Sequence, residues 1–202
     1  MPKWEITKKV KKMDIKDAKE ILGSEISFIF DFIDPIIKSL KLEKNAKILD
    51  VGTGQGRMAI ILALNNFHVL TGEPEGDNTE YAKRDWLMNA KKVNVDHLIT
   101  FIHFNAEDMS FENESFDAIF LLGALHHIEN ISSAFKEFIR ITKPRGIICI
   151  FEPTPKRIEA MRKRFPSHPD AIDPRTYTKN YNLLVDVKNG SFFDAFVFKK
   201  RN

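Results

Sequence analysis

Three glycines alternate through Asp50-Val51-Gly52-Thr53-Gly54-Gln55-Gly56, and their neighbours decide what that spacing can do. Glycine lets a chain turn sharply and lets a ligand approach the backbone closely. An apolar run, Lys47 to Val51, leads into the turn and another, from Met58, leads out, so the turn joins a strand to a helix. The free N–H groups at a helix start favour a ligand carboxylate. Asp50 adds a negative charge suited to an amino group or a cationic centre. About twenty residues on, Gly72-Glu73-Pro74 ends a second strand, and a carboxylate there can accept both hydroxyls of a ribose. Asn105, Ala106 and Glu107 follow a third strand and are placed to meet a base edge, while a fourth ends near Leu122 and leads to His126 and His127. Glu152 ends a fifth. An imidazole titrates near neutrality, so His126 or His127, with Glu152 facing the same cleft, can take a proton from a hydroxyl or an amine. The constellation is a nucleotide-like site beside a set of proton acceptors.

Holding these groups along one edge requires alternating strands and helices. The spacing predicts a helix from the N-cap Ser24 towards Leu40, with Ile26, Phe30, Ile33, Ile36 and Ile37 on a buried face and Pro35 as a kink. Strands follow at Lys47–Val51, His68–Thr71, Leu98–Phe104, Phe116–Leu122 and Gly146–Phe151, separated by helices at Met58–Asn65, Thr79–Lys92 and Ile131–Ile141. This rhythm implies a parallel sheet covered on both faces, with ligands bound at the carboxyl ends of its strands. The pattern then breaks. Tyr181–Val187 and Phe192–Lys199 both read as strands, and the Asn189-Gly190 pair between them signals a tight hairpin. The expected fold is therefore α/β, a Rossmann-like, doubly wound sheet of seven strands that finishes with an antiparallel hairpin, in one domain.

An arm precedes that domain, which spans residues 24–202 and itself divides into a core, an insertion and a hairpin. Residues 1–23 form a lysine-rich arm, read as solvated and partly helical. The cofactor-binding core spans 46–151, a substrate-side insertion 153–178, and the terminal hairpin 181–199. In the insertion, Lys156 to Arg164 carries five basic residues against one acidic one, enough to attract an anionic small molecule. The net charge of +3 over 202 residues argues against a nucleic-acid partner. No apolar run reaches the roughly 18–20 residues of a membrane span, and the first residues lack a secretory h-region, so the expected compartment is the cytoplasm. Cys149, the only cysteine, reads as a buried core thiol. With His68, His97 and His103 scattered, no metal site is expected.

Taken together, these motifs resemble the class I S-adenosylmethionine-dependent methyltransferases, in particular small-molecule members of the methyltransferase-11/25-like type. The resemblance covers Ala46 to Phe151 motif by motif, and the hairpin extends it. It implies S-adenosyl-L-methionine as cofactor. The D-x-G-x-G-x-G turn (Asp50, Gly52, Thr53, Gly54, Gly56) would hold the methionine part, Glu73 with Pro74 the ribose, and Asn105, Ala106, Glu107 and Leu122 the rest of the nucleoside. The F-D…L-H-H segment and the K-P-R-G turn, Lys143 to Gly146, match what small-molecule members show before the fifth strand. Two positions depart from the pattern. Asn105 stands where the family often has Asp, and Pro74-Glu75-Gly76-Asp77 replaces a hydrophobic-Ser pair. No N-P-P-[YF] or D-P-P-Y follows the fourth strand, as in many amide and base N-methyltransferases, and no Pro-Cys pair serves cytosine chemistry. The expected reaction is methyl transfer to a small or medium-sized acceptor. An RNA- or protein-modifying methyltransferase, a non-catalytic partner subunit that keeps the nucleotide site, and a nicotinamide oxidoreductase remain as rivals.

Overall fold

A computed structural model describes residues 13–76 and 85–201. Its frame is a seven-stranded sheet in the order β3-β2-β1-β4-β5-β7-β6. The strands are β1 (Ile48–Val51), β2 (Val69–Glu73), β3 (Ile99–His103), β4 (Phe116–Leu122), β5 (Thr142–Pro153), β6 (Leu183–Lys188) and β7 (Phe193–Lys200). β1 to β5 pair in parallel, whereas β7 runs antiparallel between β5 and β6. This is the expected α/β sheet with its antiparallel finish.

The sheet is apolar on both sides because both sides are covered. Along β5, Ile147, Cys149 and Phe151 join one core while Ile148 and Ile150 join the other. On β4, Ala118 and Phe120 alternate in the same way with Ile119 and Leu121. The first core packs under α2 (Ser24–Ser39) and α3 (Arg57–Leu64); the second packs under α5 (Ile131–Ile141). α3 is buried from Met58 to Leu64, so this helix, which starts at the glycine turn, is fixed along its length. Burial pushes the Cys149 thiol up, consistent with a core residue.

Several boundaries differ from the sequence reading, each for a local reason. Ser24 is the first helical residue of α2, and Gly23, at φ +93°, takes the cap position instead. β2 runs on to Glu73 through pairing with β3, which delivers the carboxylate to the sheet edge. β5 begins at Thr142, paired with Phe116 ahead of a register shift, so the K-P-R-G stretch lies inside the strand. Asp117 sits at the amino end of β4, where it accepts hydrogen bonds from Lys143 Nζ and the Lys47 N–H, on the edge away from the site. The end of the lysine-rich arm is a packed helix, α1 (Ile15–Leu22), whose Ala18 is fully buried against the core. The arm's first twelve residues and the 79–84 part of the helix expected at Thr79–Lys92 lie outside the described residues; α4 (Trp86–Lys92) is the rest of that helix. Among the described residues no helix is long and apolar enough to cross a membrane.

Candidate functional site

The glycine turn leaves β1 and enters α3 through backbone conformations that favour glycine. Gly52, Gly54 and Gly56 all have positive φ. A Cβ at Gly54 would meet nothing within 4 Å, so the turn is open on that side. At Gly52 the reverse holds: a Cβ would stand 2.8 Å from that of Ala124, which ties the turn to the segment after β4. No side chain caps α3, which opens directly on the backbone of the glycine turn.

Beneath the turn runs a chain of hydroxyls. Thr71 Oγ1 donates to Asp50 Oδ2 at 2.9 Å, which leaves Thr53 Oγ1 to donate to Thr71 Oγ1, also at 2.9 Å. Asp50 is fully buried, and its Oδ1 makes no hydrogen bond of ordinary geometry. Burial, reinforced by the charge of Glu73, pushes the Asp50 carboxyl up to about 8 against the bond from Thr71. Asp50 and Thr53 are thus both buried in one hydrogen-bonded chain beside the turn. Thr71, absent from the sequence-derived set, is the link between them; a threonine inside an apolar strand gave no sign of that partnership.

Glu73, at the end of β2, accepts a hydrogen bond from the Gly54 N–H at 2.5 Å. Its carboxylate thus stands against the backbone of the turn. Pro74 is exposed next to it. On the third strand end, Asn105 is exposed and its Oδ1 accepts from the Glu107 N–H at 2.9 Å, forming a small turn. Glu107 Oε1 in turn accepts from the Asn130 N–H, the residue that caps α5. Ala106 is buried in the core. The turn, Glu73 and the Asn105–Glu107 segment thus follow the ends of β1, β2 and β3, three neighbours in the sheet, and Leu122 ends β4 beside them.

The segment after β4 makes a single 3₁₀ turn, Leu125–His127. His126 is buried there, and its Nδ1 lies 2.7 Å from Glu152 Oε2. Glu152, 1% exposed, also accepts from the Leu125 N–H at 3.1 Å. Burial raises the Glu152 carboxyl, while the bond and charge of His126 pull the other way. The sequence places Glu152 in the cleft or in solvent. In the structure it lies behind His126 and orients that ring. His127 is exposed, with its ring centroid 4.2 Å from that of His126. A third imidazole, His168, packs 5.1 Å from His126 and 5.2 Å from His127. It comes from the irregular loop after α6 (Pro155–Arg162), where proline-rich sequence carries no period that could have foretold the meeting. Arg162 holds this loop through His168 O at 2.8 Å and Asp170 at 2.8 Å, and Arg157 lies over the Phe192 ring. Part of the basic stretch is therefore occupied within the chain. His68, His97 and His103 are exposed and apart from this cluster.

A profile of the methyltransferase domain family matches residues 49–150, from β1 through most of β5. The chain belongs to this family. Methyltransferase relatives include a sterol 24-C-methyltransferase from Candida albicans, 28% identical over 113 residues that cover 56% of this chain and 29% of that one. A demethylmenaquinone methyltransferase from Clavibacter sepedonicus is 26% identical over 128 residues, covering 63% and 49%. The chain spans about half or less of the length of these relatives. Among solved structures, the PH0226 protein from Pyrococcus horikoshii superposes with a TM-score of 0.69 at 18% identity, over 91% of this chain and 95% of that one, which shows the shared fold. The family implies S-adenosyl-L-methionine as cofactor, and the residues around the glycine turn suit such a molecule. Gly54 leaves open space on one side of the turn, α3 starts without a capping side chain, and Glu73 accepts from the Gly54 N–H beside them.

Proposed function

We propose that the chain transfers a methyl group from S-adenosyl-L-methionine to a small-molecule acceptor and releases S-adenosylhomocysteine. The cofactor supplies an electrophilic methyl on a positively charged sulfur. The chain's own residues supply position and proton handling. The Gly54 N–H, released when Glu73 turns to the sugar, and the positive end of the α3 dipole hold the amino-acid carboxylate. Glu73 exchanges its bond to Gly54 for the ribose hydroxyls, and Asn105 to Glu107 border the base. The acceptor binds at the ends of β4 and β5. There His126, oriented by Glu152, and His127 handle the acceptor's proton, as a base held by a third group does elsewhere. The substrates for which the relatives are named, a sterol and a demethylmenaquinone, support a small organic acceptor. Lys156 and Lys163, exposed on and after α6, are the cations best placed to favour an anionic one.

The observation that carries this reading is the bond from the Gly54 N–H to Glu73, which puts an open glycine turn and a ribose-type carboxylate on one rim. Incubation with cofactor carrying a labelled methyl, across fractionated small-molecule extract, tests it. Label should pass to a low-mass product in the presence of wild-type protein and not of His126→Ala. Label that moves only to RNA or protein would transfer the reading to a macromolecular acceptor.

A further inference from the structure

The three imidazoles beside the acceptor end have the features of a metal centre. One ring nitrogen from each of His126, His127 and His168 lies within 4.8 Å of the others. Two of the rings are already oriented from behind. His168 Nδ1 lies 3.0 Å from Pro169 O, and a carbonyl can only accept, so Nδ1 carries the proton. His126 Nδ1 faces Glu152, whose ionised carboxylate likewise only accepts. In the neutral rings each Nε2 therefore bears a lone pair. Both Nε2 atoms are buried and neither has a hydrogen-bond partner. Leaving two such acceptors dry and unbonded costs free energy, and both rings sit in elements that hold them there. Glu152 takes a second bond from Leu125, and Arg162 grips the His168 carbonyl.

We propose that His126, His127 and His168 bind a divalent transition-metal ion, zinc being the type ion, with Nε2 as the ligand atom of His126 and His168. Histidine ligands of such ions commonly donate their second nitrogen to a carboxylate or a backbone carbonyl, and Glu152 and Pro169 fill those two roles. The buried carboxylate also balances the ion's charge. Three nitrogens around zinc at about 2.0–2.1 Å lie roughly 3.4 Å apart, so the loop carrying His168 would draw in by on the order of 1 Å. Exposed His127 leaves the centre open to solvent, with a fourth position for water or a ligand oxygen. The use of that position rests on the methyl-transfer reading. An ion held there would polarise an acceptor hydroxyl and ease loss of its proton to solvent as the oxygen bonds to the methyl and the carbon–sulfur bond breaks, and His126 would then act on that proton through the ion.

The site itself is tested without turnover. Untagged full-length protein, stripped with a chelator, is titrated with cobalt(II) and read by visible absorption, then challenged with zinc(II). One equivalent should bind with the strong visible bands of a four- or five-coordinate ion, and zinc should displace it. His168→Gln and, independently, the exposed His127→Asn should each weaken binding at least about 100-fold with unchanged circular dichroism, while Glu152→Gln should weaken it roughly 10–100-fold. The control His97→Asn should bind as wild type. Absence of a stoichiometric site in wild type, or equal binding in the two ligand variants, would overturn the proposal and leave three packed imidazoles. Titration of the stripped protein with S-adenosylhomocysteine reports separately on the cofactor half, so the two readings can fail independently.

Discussion

The two halves of the sheet edge are built by different means. At the ends of β1, β2 and β3 the site is made of backbone: open turns, a helix start, and one carboxylate that bonds to a glycine N–H. At the ends of β4 and β5 it is made of side chains gathered from three separate stretches, with His126 and Glu152 buried and His168 brought in by a loop. The first kind of site depends on glycines at positive φ and tolerates little variation in spacing. The second tolerates variation and depends on tertiary packing to bring its parts together. A fold that serves many acceptors with one cofactor needs this division, since function resides in the site grafted on the scaffold.

Substitutions separate the halves. The largest effect is expected at His126→Ala. Turnover should fall by about 10²–10⁴-fold, the range for losing a positioned proton-transfer group, with near-normal affinity for S-adenosylhomocysteine. Steady-state kinetics beside calorimetry would show it, and a matching loss of nucleotide affinity would erase the distinction between the halves. Gly54→Val should do the opposite. It fills the open side of the turn and forces a β-branched residue to φ +50°, so affinity for the nucleotide should drop at least about 100-fold, equivalent to about 2.7 kcal/mol. Because nothing lies within 4 Å of the added Cβ, circular dichroism should stay native. Glu73→Ala should weaken the nucleotide by roughly tenfold or more, about what one charge-assisted pair of hydrogen bonds contributes.

The smallest effect concerns the brace under the turn. Asp50 is held near 8 in the folded chain against 3.8 ordinarily, so the folded state keeps a proton that the unfolded chain has lost over that range. Its stabilising contribution is complete below about pH 4 and is lost as pH rises towards 8, at a slope of at most about 1.4 kcal/mol per pH unit. Denaturant melts of the wild type should therefore weaken between pH 5.5 and 8, and those of Asp50→Asn should weaken less. Equal slopes would mean that Asp50 is ionised under the turn.

The same division governs what could be read from the sequence. The sheet was legible because apolar runs of strand length alternate with helical spacing; β4 and α5 fall on the residues expected from the pattern. The glycine turn and Glu73 were legible because their chemistry lies within a few residues of a strand end. Asp50 was identified by type but not by depth, since only tertiary packing shows that the turn covers it. Glu152 and His126 were both selected, yet their bond spans two strands and left no mark in either segment. His168 was invisible, because nothing in the spacing of a proline-rich loop says which cluster it will join.

The central claim is that the turn of Gly52 to Gly56, with Glu73, holds an S-adenosyl nucleotide. Calorimetric titration of S-adenosylhomocysteine into wild type and Gly54→Val tests it most directly. The account predicts one molecule bound per wild-type chain and affinity lost in a variant that remains folded. Binding that is absent from the wild type, or equal in the two proteins, would contradict it.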